Sequence, residues 1–239
     1  IASAKEGFKH KTARKKMILC IETATKNCSV ALVSKGVCIA HRSQFSNQYI
    51  HGEYLHVFIK QIMDEANLSF EQLSGVCVGK GPGSFTGLRI GVSAAKGICF
   101  ASRKKLYSIP TLACFDFNAI HKDFVLSVID ARRDEVYALK WQREGSSFVA
   151  MGKEHSEVVH TDSWKEWKEK EVLVIGDAAQ KVKELHGCPH WTYDQNNFPN
   201  ALFMHQGIHT VGISEEDVAY FEPFYLKNFI AVKSKKNVL

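Results

Sequence analysis

The stretch Gly79-Lys80-Gly81-Pro82-Gly83-Ser84-Phe85-Thr86-Gly87-Leu88-Arg89-Ile90-Gly91 gathers the residue types that can hold an anion. It follows a short apolar run, Val76-Cys77-Val78, that reads as a buried strand. It leads into a proline-free, helix-forming stretch from Leu88 to Ala101. Strand, glycine turn and helix mouth in that order bring free amides and the positive end of the helix dipole together. Glycine permits a sharp turn and close approach of a partner surface. Ser84 and Thr86 are good N-cap residues. Gly81, Gly83, Ser84, Thr86 and Arg89 therefore form a candidate phosphate-facing loop. The spacing departs from three better-known motifs. A Walker loop needs four residues between its first glycine and the Gly-Lys pair, but only three separate Gly75 from Gly79-Lys80. A dinucleotide fingerprint wants glycine where Ser84 or Thr86 stands. A hydrolase elbow needs Gly-x-Ser-x-Gly, whereas this is Gly83-Ser84-x-x-Gly87. The competing reading is a tight turn that packs a helix closely.

Other clusters carry less. His205 and His209 share a helix face but lack the glutamate of an H-E-x-x-H motif, and Gly207 weakens the helix. His186-Gly187-Cys188-Pro189-His190 is metal-like in composition but crowded and restrained by proline. Neither is expected to bind a metal. His51 and His56, five apart, are expected on a surface helix. Asp130 and Asp177 fall at strand ends, where turn and cap duties are the first reading. No catalytic residue is assigned.

The elements around these residues read as β-β-β-α-β-α, with a less regular second half. Ile18 to Ile21, Cys28 to Val33 and Val37 to His41 form a meander with turns at Asn27 and Ser34-Lys35-Gly36. Leu55, Phe58, Ile59, Ile62, Met63 and Ala66 mark one helical stripe. Ser69-Phe70-Glu71-Gln72 is a capping-box pattern. Gly87, Gly91 and Ala95, with Ala94 and Gly97 beside them, make a strip of small residues on the next helix. Phe124 to Ile129 and Val136 to Trp141 predict a hairpin. Ser163 to Lys170 predicts a surface helix anchored by Trp164 and Trp167. Val172 to Ile175 predicts a buried strand, followed by a helix that includes Gln180, Val182 and Leu185. Residues 187–200 predict a loop. A last helix, Ala201 to Thr210, precedes a short strand near Tyr220.

The chain has 239 residues, 45% hydrophobic content and a formal net charge of +6. That supports a large core in one or two domains. Most of the positive charge lies at the ends. Residues 1–16 hold six lysines and arginines against Glu6, and Lys233, Lys235 and Lys236 follow at the other end. A near-neutral centre is a poor independent groove for nucleic acid. Seven cysteines without a Cys-x-x-Cys fit a reducing, cytoplasmic setting and oppose a zinc ribbon. No apolar run is long enough to span a bilayer. The hydrophobic pattern starts at Met17, the expected native start, with 1–16 an extension or an appended remnant.

Gly81 to Gly91 resembles the signature of the bacterial TsaB (YeaZ) family. The likeness extends to Met17-Ile18-Leu19-Cys20-Ile21-Glu22-Thr23-Ala24-Thr25 with Cys28 to Leu32, and to Asp130-Ala131-Arg132-Arg133-Asp134-Glu135-Val136-Tyr137. It also includes Glu222-Pro223-Phe224-Tyr225-Leu226-Lys227. The resemblance implies an actin-like, sugar-kinase-like (ASKHA) α/β fold: two α/β lobes with mixed central sheets, 17–113 and 114–232, and a basic tail at 233–239. It implies a noncatalytic subunit that scaffolds a TsaD-type threonylcarbamoyl transferase acting on tRNA adenosine next to the anticodon. A TsaE-type P-loop ATPase completes that assembly, and ATP and metal belong to the partners, with no cofactor on this chain. tRNA is then met through the complex, and the chain alone forms a homodimer. The implied interface comprises Leu55, Phe58, Ile59, Ile62, Met63, Gly87, Gly91 and Ala95. Glu22 stands where the family usually has aspartate, which weakens any catalytic reading. The alternatives are an M22-like metallopeptidase or small-molecule kinase of the same superfamily, and a stand-alone nucleic-acid binder using the tails. The absence of histidine in Ser108 to Cys114, where the catalytic paralogue has metal ligands, opposes the enzyme readings.

Overall fold

The computed structural model describes residues 16–48 and 50–227. The basic segments 1–15 and 233–239 lie outside the described residues.

Five strands and two helices build the first lobe: β1 (Met17–Glu22), β2 (Asn27–Ser34), β3 (Val37–Phe45), α1 (His51–Glu65), β4 (Gly75–Gly79), α2 (Phe85–Ser102) and β5 (Lys105–Ile109). The second lobe has β6 (Phe124–Asp130), β7 (Glu135–Glu144), β8 (Ser147–Ala150), β9 (His155–Val158), β10 (Val172–Ile175), α3 (Ala179–His186) and β11 (Thr192–Asp194). The chain then forms α4 (Met204–Val211) and β12 (Ser214–Glu216).

Both sheets repeat one topology. The first runs β12-β5-β4-β1-β2-β3 and the second β11-β10-β6-β7-β8, with β9 also on β7. In each, the first strand pairs antiparallel with the second and parallel with the strand that follows the crossover. Ser214–Glu216 crosses back from the second half of the chain to extend the first sheet beside β5.

Packing follows the apolar pattern. Leu55, Phe58, Ile59, Ile62 and Met63 of α1 face the first sheet and join Leu19, Val30 and Val78 in one cluster. Fully burying one such leucine is worth about 2 kcal/mol. A central cluster joins the lobes: Cys20, Ala31 and Cys77 from one sheet meet Val125, Tyr137 and Trp141 from the other, around Leu112 to Phe115. The far face of the second sheet is covered by Trp164, Trp167 and Trp191.

The second half departs from the sequence expectations in three places. Ser163 to Lys170 is not a surface helix. Its helical part is one 3-10 turn, Lys165–Trp167, because Trp164 takes a left-handed backbone (φ 53°) that breaks the helix. Both indoles are buried. The strand expected near Tyr220 lies earlier, at Ser214–Glu216. There the Asp217 carboxylate accepts the Ala219 and Tyr220 amides and turns the chain out of the sheet. The expected loop 187–200 contains β11.

Candidate functional site: an interlobe cleft and an outer groove

A cleft of about 530 Å³ opens between the lobes, floored by the β1–β2 turn, the glycine loop and the β6–β7 turn. Of the candidate phosphate-facing residues, Gly83 and Ser84 line it. Ser84 caps α2, its Oγ accepting the Gly87 amide at 3.2 Å. The remaining three are elsewhere. Gly81 is buried with φ +111°, and a Cβ there would lie 2.6 Å from the Phe224 carbonyl. Thr86 is exposed, and Arg89 faces an outer groove. The loop's amides are partly engaged within the chain. Gly81 N–H donates to Thr111 Oγ1 (3.2 Å) and Ser84 N–H to the Ala24 carbonyl (2.6 Å). Close packing thus accounts for much of the glycine content.

The cleft's second-lobe wall is charged. The Lys181 ammonium pairs with Asp130 and donates to the Glu135 carbonyl (3.0 Å). Lys227 pairs with Glu135. Burial pushes Glu135 up, but Lys227 and Ser156 outweigh it and hold its carboxyl below the usual range. Burial pushes Asp177 up to about 6, although its Oδ1 accepts the Asp130 amide at 3.0 Å. Asp130 does hold the turn, its Oδ1 accepting the Arg132 amide at 3.0 Å, whereas Asp177 caps no helix and instead ties the end of β6; both face the cleft. Arg132 and Arg133 also line the cleft, both with left-handed backbone.

Glu22 ends β1 in a fully buried position and does not line the cleft. Its Oε1 accepts the Ala24 amide at 2.7 Å, and its other oxygen fills the space that a Cβ on residue 79 would need. Burial raises its carboxyl to about 7.

His51 is not on a surface. It is 1% exposed and its Nε2 donates to the Thr25 carbonyl at 2.7 Å, tying α1 to the β1–β2 turn. Spacing within α1 could not reveal this, because the partner is 26 residues away. Burial lowers its pKa, which favours the neutral ring. His186 and Cys188 are absorbed by the second lobe, donating to the Ser163 and Lys168 carbonyls. His205 Nδ1 bonds the Leu202 carbonyl at 2.7 Å, and the side chain of His209 lies outside the described residues. Among the described residues, no three His, Cys, Asp or Glu side chains gather as a metal site.

The expected interface residues need a correction. Leu55, Phe58, Ile59, Ile62, Met63, Gly87, Gly91 and Ala95 are all buried within the lobe. The stripe points at the sheet because that is where its apolar area is removed from water. The small strip serves close approach to the β1–β2 turn. A Cβ on Gly87 would lie 2.1 Å from the Thr23 carbonyl, and one on Gly91 2.2 Å from Thr23 Oγ1. The opposite faces of the same helices look outward. There a groove of about 670 Å³ is lined by Phe70, Ile90, Ala94, Ile98 and Ala101, with His56 and Arg89 at its polar edge. Val57 and Phe100, 49% and 82% exposed, also project from α1 and α2.

Duplicated lobes with mixed sheets around a cleft define the actin-like, sugar-kinase-like architecture. The structure of YeaZ from Pseudomonas aeruginosa has this fold, with a TM-score of 0.76 at 24% identity over 88% of this chain and 100% of that one. The family model for tRNA N6-adenosine threonylcarbamoyltransferase, TsaD, matches residues 47–220. The tRNA threonylcarbamoyladenosine biosynthesis protein TsaB of Escherichia coli K12 is 35% identical over 130 residues, 53% of this chain and 55% of that protein. TsaB of Haemophilus influenzae is 26% identical over 235 residues, 90% of this chain and 95% of that protein. The chain belongs to the TsaB/YeaZ family within this transferase group.

Proposed function

We propose that this chain is a noncatalytic partner subunit in the threonylcarbamoyladenosine modification of tRNA, docking onto a TsaD-type transferase and supporting it. The observation that carries the partner role is the outer groove of α1 and α2. An apolar trough with Phe100 82% exposed beside it suits the apolar stripe of a partner helix. The same face pairs two copies when the transferase is absent. A TsaE-type ATPase joins the assembly, and ATP, metal and tRNA chemistry belong to the partners. On this reading the protein works in the cytoplasm. Among the described residues no helix is long and apolar enough to cross a membrane.

The test replaces Val57 or Ala101 by lysine. Both positions are exposed, so the fold should persist. Cells depleted of the native subunit and given either variant should lose threonylcarbamoyladenosine from their tRNA. Wild-type modification levels with both variants would place the functional surface elsewhere.

A further inference from the structure

We propose that residues 217–227 form a releasable strap across the interlobe cleft, and that Arg89 is the positioning residue through which an occupant of the α2 groove unlatches it. The second part rests on the partner reading above.

The strap leaves β12 through the Asp217 turn and is first held by α2. Lys96 Nζ donates to the Ala219 and Phe221 carbonyls at 3.1 and 2.9 Å. The Phe224 amide then donates to the Lys80 carbonyl at 2.7 Å. Its far end crosses to the second lobe, where Lys227 pairs with Glu135 and reaches the Ala131 carbonyl at 3.5 Å. Phe224 to Lys227 form one wall of the cleft. No residue from Asp217 to Lys227 is buried. Val218 and Phe221 pack only partly against the first core and Leu226 against the central one, and segments with so little fully buried area open at a fraction of the global unfolding free energy. The strap can therefore release while both cores stay intact.

Arg89 joins this strap to the outer groove. Its Nε donates to the Tyr225 hydroxyl at 3.2 Å, its guanidinium lies 4.2 Å from the Phe85 ring centre, and the Phe85 and Tyr225 rings are 4.9 Å apart. The same side chain lines the groove. A carboxylate or carbonyl on a docked helix would compete for that guanidinium, and a charged acceptor outcompetes a neutral phenol. Docking would then weaken the strap at its midpoint, leaving the Phe224 amide on Lys80 and the Lys227 pair with Glu135 as its remaining holds at the cleft.

The test is amide hydrogen exchange on the full isolated chain, diluted until sedimentation shows a monomer, so that neither a transferase nor a second copy fills the α2 groove. Arg89→Ala should speed exchange of residues 219–227 by about tenfold or more, with α1 and β4 amides unchanged. Tyr225→Phe, which keeps the ring stack, should give a smaller local increase. Adding a TsaD-type transferase to the wild type should speed strap exchange in the same way and should do nothing further in Arg89→Ala. Unchanged strap exchange in Arg89→Ala, or acceleration spread across the whole lobe, would overturn the proposal. So would strap protection that rises when the transferase binds. Failure of the transferase to bind at all would register separately, as no protection of α1 and α2, and would overturn the partner reading together with the route through Arg89.

Discussion

Glu22 ends β1 and Asp130 ends β6, equivalent strands of two sheets with one topology, yet one carboxyl is sealed and the other faces the cleft. The difference lies in the helix after the crossover strand. In the first lobe α2 runs for 18 residues, is capped by Ser84, and has glycine at the two positions that touch Thr23. It settles against the β1–β2 turn, and Gly79 leaves room for the Glu22 carboxyl beneath. In the second lobe α3 has 8 residues and no side-chain cap, and its Lys181 reaches out to pair with Asp130. One topology thus gives a closed packing unit on one side and a polar cleft wall on the other. Open α/β sheets place ligands at strand ends. Only the second lobe keeps its acid there accessible.

Substitutions sharpen this contrast, beginning with the largest effect. Gly87→Val should unfold or severely destabilise the protein, by about 4 kcal/mol or more, because even a Cβ meets the Thr23 carbonyl at 2.1 Å. Phe58→Lys belongs to the same class, since it forces a charge into the first core. Denaturant midpoints check both. A folded, wild-type-like Gly87→Val would mean α2 does not sit where it is described.

Glu22→Gln should act next, and through pH. The folded carboxyl keeps its proton up to about pH 7, whereas an unperturbed one releases it near 4.5. Its contribution is fully present below 4.5, declines as pH rises to 7, and levels off above. The variant should therefore be more stable than wild type at pH 8, by roughly 3 kcal/mol at most, and equal to it at pH 4.5. Asp177 adds a slope of the same sign below about pH 6 that the variant retains. Urea titrations across that range decide it, and parallel wild-type and variant profiles would contradict a buried acid.

Asp130→Asn should cost less than about 1 kcal/mol, because the Lys181 pair is solvent-accessible. Gly97→Ala should stabilise slightly, by about 0.5–1 kcal/mol. A Cβ there meets nothing within 4 Å, so only helix propensity changes. Gly87 and Gly97 share a helix, and opposite signs at the two would separate contact from propensity.

Much of the first lobe is legible in the sequence, because its elements are long and regular. The meander, the α1 stripe and the strand-glycine-helix unit all follow from local periodicity. What periodicity withholds is which way a stripe faces when a lobe has both a sheet and a partner to satisfy. Phe58 and Ala95 read equally well as core or as interface, and the Thr23 contact that settles Gly87 is 64 residues distant in the chain. The cleft wall was half visible: Asp130 and Asp177 stand out at strand ends, but Lys181 and Lys227 carry no signal until the fold joins them. The second lobe is less legible because a left-handed Trp164 interrupts a helical composition and several strands have only three or four residues.

The central claim, that the outward face of α1 and α2 is a docking surface for a transferase subunit, is tested most directly by sedimentation of purified chains. Wild type mixed with a TsaD-type transferase should run as a stoichiometric complex. Ala101→Lys, with an unchanged unfolding midpoint, should leave the two proteins sedimenting apart, since a lysine buried unpaired at an interface costs several kcal/mol. A folded Ala101→Lys that still co-sediments with wild-type affinity would contradict the claim.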